Sequence, residues 1–195
     1  AAVMSSVVPV LTPIMRGMVT RYFDRDVFVV DPVTNAGMPI LYERPAEVGA
    51  DRIANSVAAY ERHGRRLGLP LIVADLGTAT TFDAVTAKGE YLGGVICPGP
   101  QIAADALFQR AARLPRVEVR KPSSVVGHTT VGAIESGLFY GYLGMVEGLM
   151  KRIADELGGR ATGIATGGLA SLIVPETKVF EAVEPDITLH GLRII

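Results

Sequence analysis

Asp75-Leu76-Gly77-Thr78-Ala79-Thr80-Thr81-Phe82-Asp83 is the stretch on which the reading of this chain turns. It follows Leu71-Ile72-Val73-Ala74, a continuous apolar run typical of a strand buried on both faces. A buried strand thus ends in an acid, turns at a glycine and resumes with three threonines. Gly77 lets the backbone come close to a ligand. The hydroxyls and the turn N–H groups can donate to phosphate oxygens, and Asp75 can hold a cation directly or through water. A plain polar β-hairpin would use the same residues, because threonine favours strands. Polarity inside a buried strand pair nevertheless needs a partner, and phosphate supplies one. The turn is not a Walker loop, since no G-x-x-x-x-G-K-[ST] occurs.

Working outward, residues 80–85 and 91–96 read as two more strands joined at Lys88-Gly89. Residues 101–112 read as a helix, 129–157 as a long helical region, 162–165 and 178–183 as strands around a short helix at 169–174, and Asp186-Ile187-Thr188 as the start of a last helix. Towards the N-terminus, residues 2–8 read as a core strand stopped by Pro9. Thr12-Pro13 reads as an N-cap with proline at the first helical position, in a helix running to about Tyr22. A strand at 27–30 and a helix at 47–62, with Ile53, Val57 and Tyr60 on one face, complete the N-terminal region. Strands alternating with helices predict an α/β protein, with a boundary near residues 65–70 that separates residues 1–66 from residues 67–195. Because the first residue is Ala1 and the first segment already reads as core, an N-terminal portion is expected to be missing.

Composition sets the limits. Of 195 residues, 49% are hydrophobic and 20% charged, enough apolar material for a sizeable core. A net charge of −1 leaves no electrostatic footprint for nucleic acid. The short basic runs at 62–66 and 113–121 read as solvated surface. The single cysteine, Cys97, cannot form an internal disulfide, which fits a reducing, cytoplasmic setting, and its apolar neighbours point to packing rather than catalysis. His63, His128 and His190 show no zinc-ligand spacing. The apolar stretch 131–150 is interrupted by Glu135 and Glu147, so a buried or interface helix is expected rather than a membrane span.

Further segments carry candidate chemistry. Gly49-Ala50-Asp51-Arg52 sets an acid beside an arginine at a helix start, which serves either as capping with an ion pair or as a base with an anion clamp. Tyr42 precedes this helix. His128-Thr129-Thr130 opens the long helix, where a threonine can cap. Gly137, Gly141, Gly144 and Gly148 follow within it, spaced for a close crossing of helices, either within one chain or between two. Thr166-Gly167-Gly168-Leu169 is a glycine turn after a strand.

Taken together, the Asp75 stretch, Gly93-Gly94, Pro98-Gly99, Ser5-Ser6-Val7-Val8-Pro9, Gly49-Ala50-Asp51-Arg52 and Thr166-Gly167-Gly168-Leu169 resemble type III pantothenate kinases across almost the whole chain. That family belongs to the superfamily of actin, sugar kinases and heat-shock ATPases. The resemblance implies two ribonuclease-H-like lobes, the first incomplete here, because the family's first phosphate motif, Asp-x-Gly-Asn-Thr, has no counterpart. Pro100 and His190 also depart from the family pattern.

The resemblance further implies ATP-dependent phosphorylation of pantothenate. Asp51 is the general base. Tyr42, Gly49, Ala50, Arg52 and Thr130 contact pantothenate, Thr130 across a homodimer interface. Gly77, Thr78, Gly167 and Gly168 face ATP. Asp75 holds a monovalent cation, K+ or NH4+, beside Mg2+ on the phosphates. Neither nucleic acid nor membrane is expected as a partner. Two other readings remain at this point: a non-catalytic transcriptional accessory relative, and another small-molecule kinase or phosphatase of the same superfamily.

Overall fold

The computed structural model describes residues 2–111 and 114–195. In chain order the elements are β1 (Ala2–Met4), α1 (Leu11–Phe23), β2 (Val27–Val29), α2 (Ala50–Ala59), α3 (Arg65–Leu67), β3 (Leu71–Leu76), β4 (Ala79–Val85), β5 (Tyr91–Pro98), α4 (Pro100–Arg110), α5 (Thr130–Glu156), β6 (Thr162–Thr166), α6 (Ala170–Ile173), β7 (Ala182–Val183) and α7 (Ile187–Ile194). A 3-10 turn, Pro45–Glu47, precedes α2, and a π-helical turn, Tyr60–Gly64, joins α2 to α3. β1 and β2 form a parallel pair, Val3 opposite Phe28. The other five strands form a sheet in the order β5-β4-β3-β6-β7. The links between β3, β4 and β5 are too short for a crossover, so those pairs are antiparallel, while β6 and β7 run parallel. The protein is therefore mixed α/β with a mixed sheet.

Several expectations change at the edges of elements. The strand expected over residues 2–8 ends at Met4, and Val7 and Val8 are exposed. Pro9 denies that stretch a ladder donor. Thr12-Pro13 is not the helix start: α1 begins at Leu11, and the Thr12 hydroxyl meets Ser6 Oγ at 2.6 Å. The strand expected over 178–183 shrinks to Ala182–Val183. The expected helix 101–112 is α4, ending at Arg110, with Ala112 outside the described residues, as is Arg113 of the basic run. Cys97 is half-buried in β5.

Contacts divide the chain into two units. One holds the chain up to Leu71 with Asp83–Gly93 and Asp186–Ile195; the other holds Ile72–Phe82 and Gly94–Pro185. In the first, α2 is almost wholly buried, from Ile53 to Ala59. Its small residues let α7 approach so closely that a Cβ on Gly191 would overlap Ala54 O. Thr188 Oγ1 donates to Asn55 Oδ1 at 2.6 Å and fixes the register of the two helices. Ala36, Val48, Ile53, Val57 and Tyr91 form the adjoining core. By contrast α1 buries none of its residues, and Ile14, Tyr22 and Phe23 are exposed.

In the second unit, Ile72, Ala74 and Leu76 alternate along β3, so they share a face. They join Phe82 and the α5 residues Phe139, Tyr142, Val146 and Met150, whose three- and four-residue spacing marks one helix face. Leu71 and Val73 are equally buried, so β3 is covered on both sides, as its apolar run predicts. Within this core the Thr80 hydroxyl, fully buried, bonds Tyr142 OH at 2.7 Å. Among the described residues no close crossing falls on Gly137, Gly141 or Gly144 of α5, where a Cβ would meet nothing within 4 Å, and a Cβ on Gly148 would meet Arg152 of the same helix. Among the described residues no helix is long and apolar enough to cross a membrane.

Two stability measurements follow. Gly191→Ala should lower unfolding free energy by about 1–3 kcal/mol through overpacking against α2, read by urea denaturation. Tyr142→Phe should cost about 1–3 kcal/mol by leaving the Thr80 hydroxyl without that partner, and adding Thr80→Val should recover most of the loss.

Candidate active site

The first cluster is built on the N-terminus of α2. Gly49 is the N-cap, with extended backbone, and Asp51 stands in the first turn, where an acid suits the positive end of the helix. Asp51 Oδ1 accepts from the Arg52 backbone N–H at 2.8 Å. This folds the carboxylate back over Gly49: a Cβ there would lie 2.5 Å from Asp51 Oδ1. The Gly-x-Asp-Arg spacing thus has a local physical cause, because any larger residue at 49 would push the acid away.

Arg52 is not a loose surface cation. Its Nε donates to Asp83 Oδ1 at 2.8 Å and its Nη2 lies 2.6 Å from the same oxygen. The Asp83 side chain is only 1% exposed and that of Arg52 13%. Tyr91 OH donates to Asp83 Oδ1 at 2.7 Å. Burial works against the Arg52 charge, but attraction and hydrogen bonding to Asp83 outweigh it, so the guanidinium is held more firmly protonated than usual. Burial first, and then the Asp83 carboxylate, push the Tyr91 phenol well above its ordinary range. Tyr91 therefore stays a neutral donor.

Tyr42 belongs to the same cluster. Its ring packs edge-on to Tyr91, with centroids 6.4 Å apart. The backbone of Gly93, at φ +137°, lies beneath it, where a Cβ would come within 3.2 Å of the ring. An open depression of about 530 Å³ is lined by Leu41, Tyr42, Glu43, Arg44, Glu47 and Leu92.

The second cluster is built on the end of β3. Asp75 is half-buried and Thr78, in the turn, is exposed. Two backbone segments close around this turn. Leu169 N–H donates to Leu76 O at 2.9 Å, and Gly99 N–H to Thr78 O at 3.0 Å. Gly167 has φ +91°, and a Cβ there would sit 2.5 Å from Asp75 Oδ1 and 2.7 Å from the Leu76 backbone. A Cβ on Gly99 would overlap the Gly77 and Thr78 carbonyls. Glycine at 99 and 167 is thus required by packing of backbone on backbone, whereas Gly168 faces open space. Gly99 is also the N-cap of α4, whose first N–H groups have no partner within the helix.

The threonines of the turn divide in role. Thr80 is spent on Tyr142, which leaves Thr78 as the exposed hydroxyl of the turn itself. At the start of α5, Thr129 is the cap, its Oγ1 accepting from Gly132 N–H at 3.1 Å, while Thr130 is the exposed first helical residue. Thr130 lies apart in sequence from the β3 turn but belongs to the same unit. Tyr42, Gly49, Ala50, Asp51 and Arg52 belong to the other.

Asp83 and Tyr91 carry no role in the sequence reading, although a signal for Asp83 was present. Aspartate is disfavoured in strands, and an acid between Phe82 and Ala84 needs a buried cation. That Arg52 is the cation required the folded structure. Among the described residues no group of three or more His, Cys, Asp or Glu comes together to hold a metal. Asp75 itself offers a carboxylate, a hard oxygen donor suited to alkali and alkaline-earth ions rather than to copper.

Comparisons with known proteins bear on the family of this chain. A family model described as type III pantothenate kinase matches residues 1–152. The type III pantothenate kinase of Moorella thermoacetica is 52% identical over 193 residues, covering 99% of this chain and 74% of its own length. That of Myxococcus xanthus is 53% identical over 195 residues, covering 100% of this chain and 75% of its own length. A solved structure from Campylobacter jejuni, described as a conserved Baf-family transcriptional activator, superposes with a TM-score of 0.64 over 98% of this chain and 79% of its own. At 18% identity it shows the fold alone. By sequence over its full length, this chain belongs to the type III pantothenate kinase family.

Proposed function

We propose that this protein transfers the γ-phosphoryl group of ATP to the hydroxyl of pantothenate, giving ADP and 4′-phosphopantothenate, the entry step of coenzyme A biosynthesis. The observation that carries this reading is identity above one half to type III pantothenate kinases over almost the whole chain. The relative described as a transcriptional activator shares only the fold, so that description does not transfer.

In this reading Asp51 is the general base. Its Oδ1 is pinned by the Arg52 N–H, which fixes the carboxylate and leaves Oδ2 to take the proton as the hydroxyl oxygen bonds to phosphorus and ADP leaves. Gly49 and Ala50 form the floor beneath this carboxylate. Arg52 presents to pantothenate the guanidinium N–H groups that Asp83 does not use. Tyr42, held against Tyr91 and Gly93, lines the acceptor side.

Thr78, with the N–H groups of the Gly77 turn, holds ATP phosphate oxygens, and Gly167 and Gly168 admit the nucleotide to the backbone. Asp75 is the ligand for a monovalent cation, potassium or ammonium. When bound, that ion and Mg2+ neutralise the phosphates. Supporting this role, Asp75 is a half-buried carboxylate at the end of β3, a hard oxygen donor of the kind such ions take. Thr130 contacts pantothenate across a homodimer interface, with the open glycine face of α5 contributing to that contact. The two ribonuclease-H-like lobes of the actin-like ATPases are the architecture proposed for the complete enzyme, residues 1–66 belonging to the acceptor-side lobe and 67–195 to the nucleotide-side lobe, in the cytoplasm.

The primary test is pantothenate-dependent ADP release by the complete protein with Mg2+ and potassium present. Absence of release from a folded protein overturns the reading. Asp51→Asn should lower kcat by about 10²–10⁴-fold while ATP affinity stays close to the parent's, measured by steady-state kinetics and nucleotide titration. Asp75→Asn should lose stimulation by potassium and need more ATP for half-saturation, read by varying potassium against sodium.

A further inference from the structure

We propose that Asp83 is a positioning residue for the acceptor site: it grips one edge of the Arg52 guanidinium and so aims the remaining N–H groups, and the helix turn bearing Asp51, at pantothenate. The inference rests on the pantothenate reading and extends it to a residue outside the Gly-x-Asp-Arg motif.

The geometry is specific. Arginine carries five N–H donors in a rigid fork. Here Nε and Nη2 both converge on Asp83 Oδ1, at 2.8 and 2.6 Å. The committed edge is therefore the side edge of the guanidinium, and Nη1 is left for a ligand. Two further contacts hold this arrangement. Tyr91 OH donates to the same carboxylate oxygen at 2.7 Å, and the Arg52 guanidinium lies 6.0 Å from the Tyr91 ring centre. With its ring fixed, Tyr91 in turn supports Tyr42.

The Asp83 side chain, 1% exposed, is not a surface partner that thermal motion can exchange for water. A buried carboxylate without its cation is strongly disfavoured, so Arg52 is confined to one pose. Confinement before substrate arrives lowers the ordering cost of binding. The backbone N–H of that same Arg52 holds Asp51 Oδ1, so the pose of the arginine and the aim of the base are coupled through one residue.

The test is kinetic. Asp83→Asn keeps the shape and removes the charge. With pantothenate and ATP varied separately, the KM for pantothenate should rise about tenfold or more, as for loss of one charged hydrogen bond. The KM for ATP should stay within about twofold. Arg52→Lys should raise the pantothenate KM similarly, and the double variant should be no worse than the worse single variant, because the two residues act as one unit. A purely structural role would lower melting temperature and scale down kcat with both KM values unchanged. A folded Asp83→Asn protein with the parent's pantothenate KM overturns the proposal, as do additive effects in the double variant. If Asp83→Asn does not fold, Tyr91→Phe removes one bond from the same carboxylate and should raise the pantothenate KM about threefold, and no change overturns the proposal. A parent without pantothenate turnover overturns the functional reading and this inference together. Turnover by the parent with unaltered KM values in the variants overturns the positioning role alone.

Discussion

The cluster at the start of α2 depends on a carboxylate that has almost no access to water. Asp83 sits in β4, and at 1% exposure its charge must be answered by protein. Arg52 from α2 and Tyr91 from β5 answer it. Removing one partner of such a pair costs about 3–5 kcal/mol, so the carboxylate ties a helix and two strands to one geometry. What looks in sequence like a catalytic dipeptide, Asp51-Arg52, is structurally a helix turn anchored by a residue thirty-one positions later. Rigidity at Arg52 is transmitted to Asp51 through one backbone hydrogen bond, and to Tyr42 through the Tyr91 ring.

The cluster at the end of β3 is made on a different principle. There the main chain itself is the structural material. The β3 turn, the Gly167 turn and the start of α4 meet backbone to backbone, and the hydrogen bonds from Leu169 and Gly99 join them. Side chains would hold these segments apart, which is why glycine stands at 99 and 167. Such an assembly presents N–H groups and carbonyls at fixed positions with little conformational entropy to lose. That suits a polyanion and its counter-ions, for which positioning and charge stabilisation matter more than any single reactive side chain.

Much of this was legible in the chain. The apolar run from Leu71 marked a strand covered on both faces, and the polar residues after it marked a turn. The long helix, the β3-β4-β5 meander and the closing helix were all visible from period and turn residues. Short edge elements were less legible. Residues 2–8 and 178–183 are rich in β-formers, yet only Ala2–Met4 and Ala182–Val183 find partners to pair with. Strand propensity describes what a segment can do, and pairing depends on what lies beside it. The helix cap at Thr12 failed for a similar reason: its hydroxyl found Ser6 instead of a free helical N–H.

By itself the sequence determined the central elements of the sheet and the family, because each follows from local periodicity or from residue order along the chain. The turn at Asp75 was recognisable at that level as a polar turn that follows a buried strand. Only the tertiary structure decided how its residues are employed. Thr80 lies within β4 and is turned inward to Tyr142, while Thr78 stands outside both strands, in the turn, and is left exposed. Partnership of Arg52 with Asp83 was likewise undetermined until the chain folded. The cost of an isolated buried charge is a property of the surroundings, and those surroundings exist only when α2, β4 and β5 are packed together.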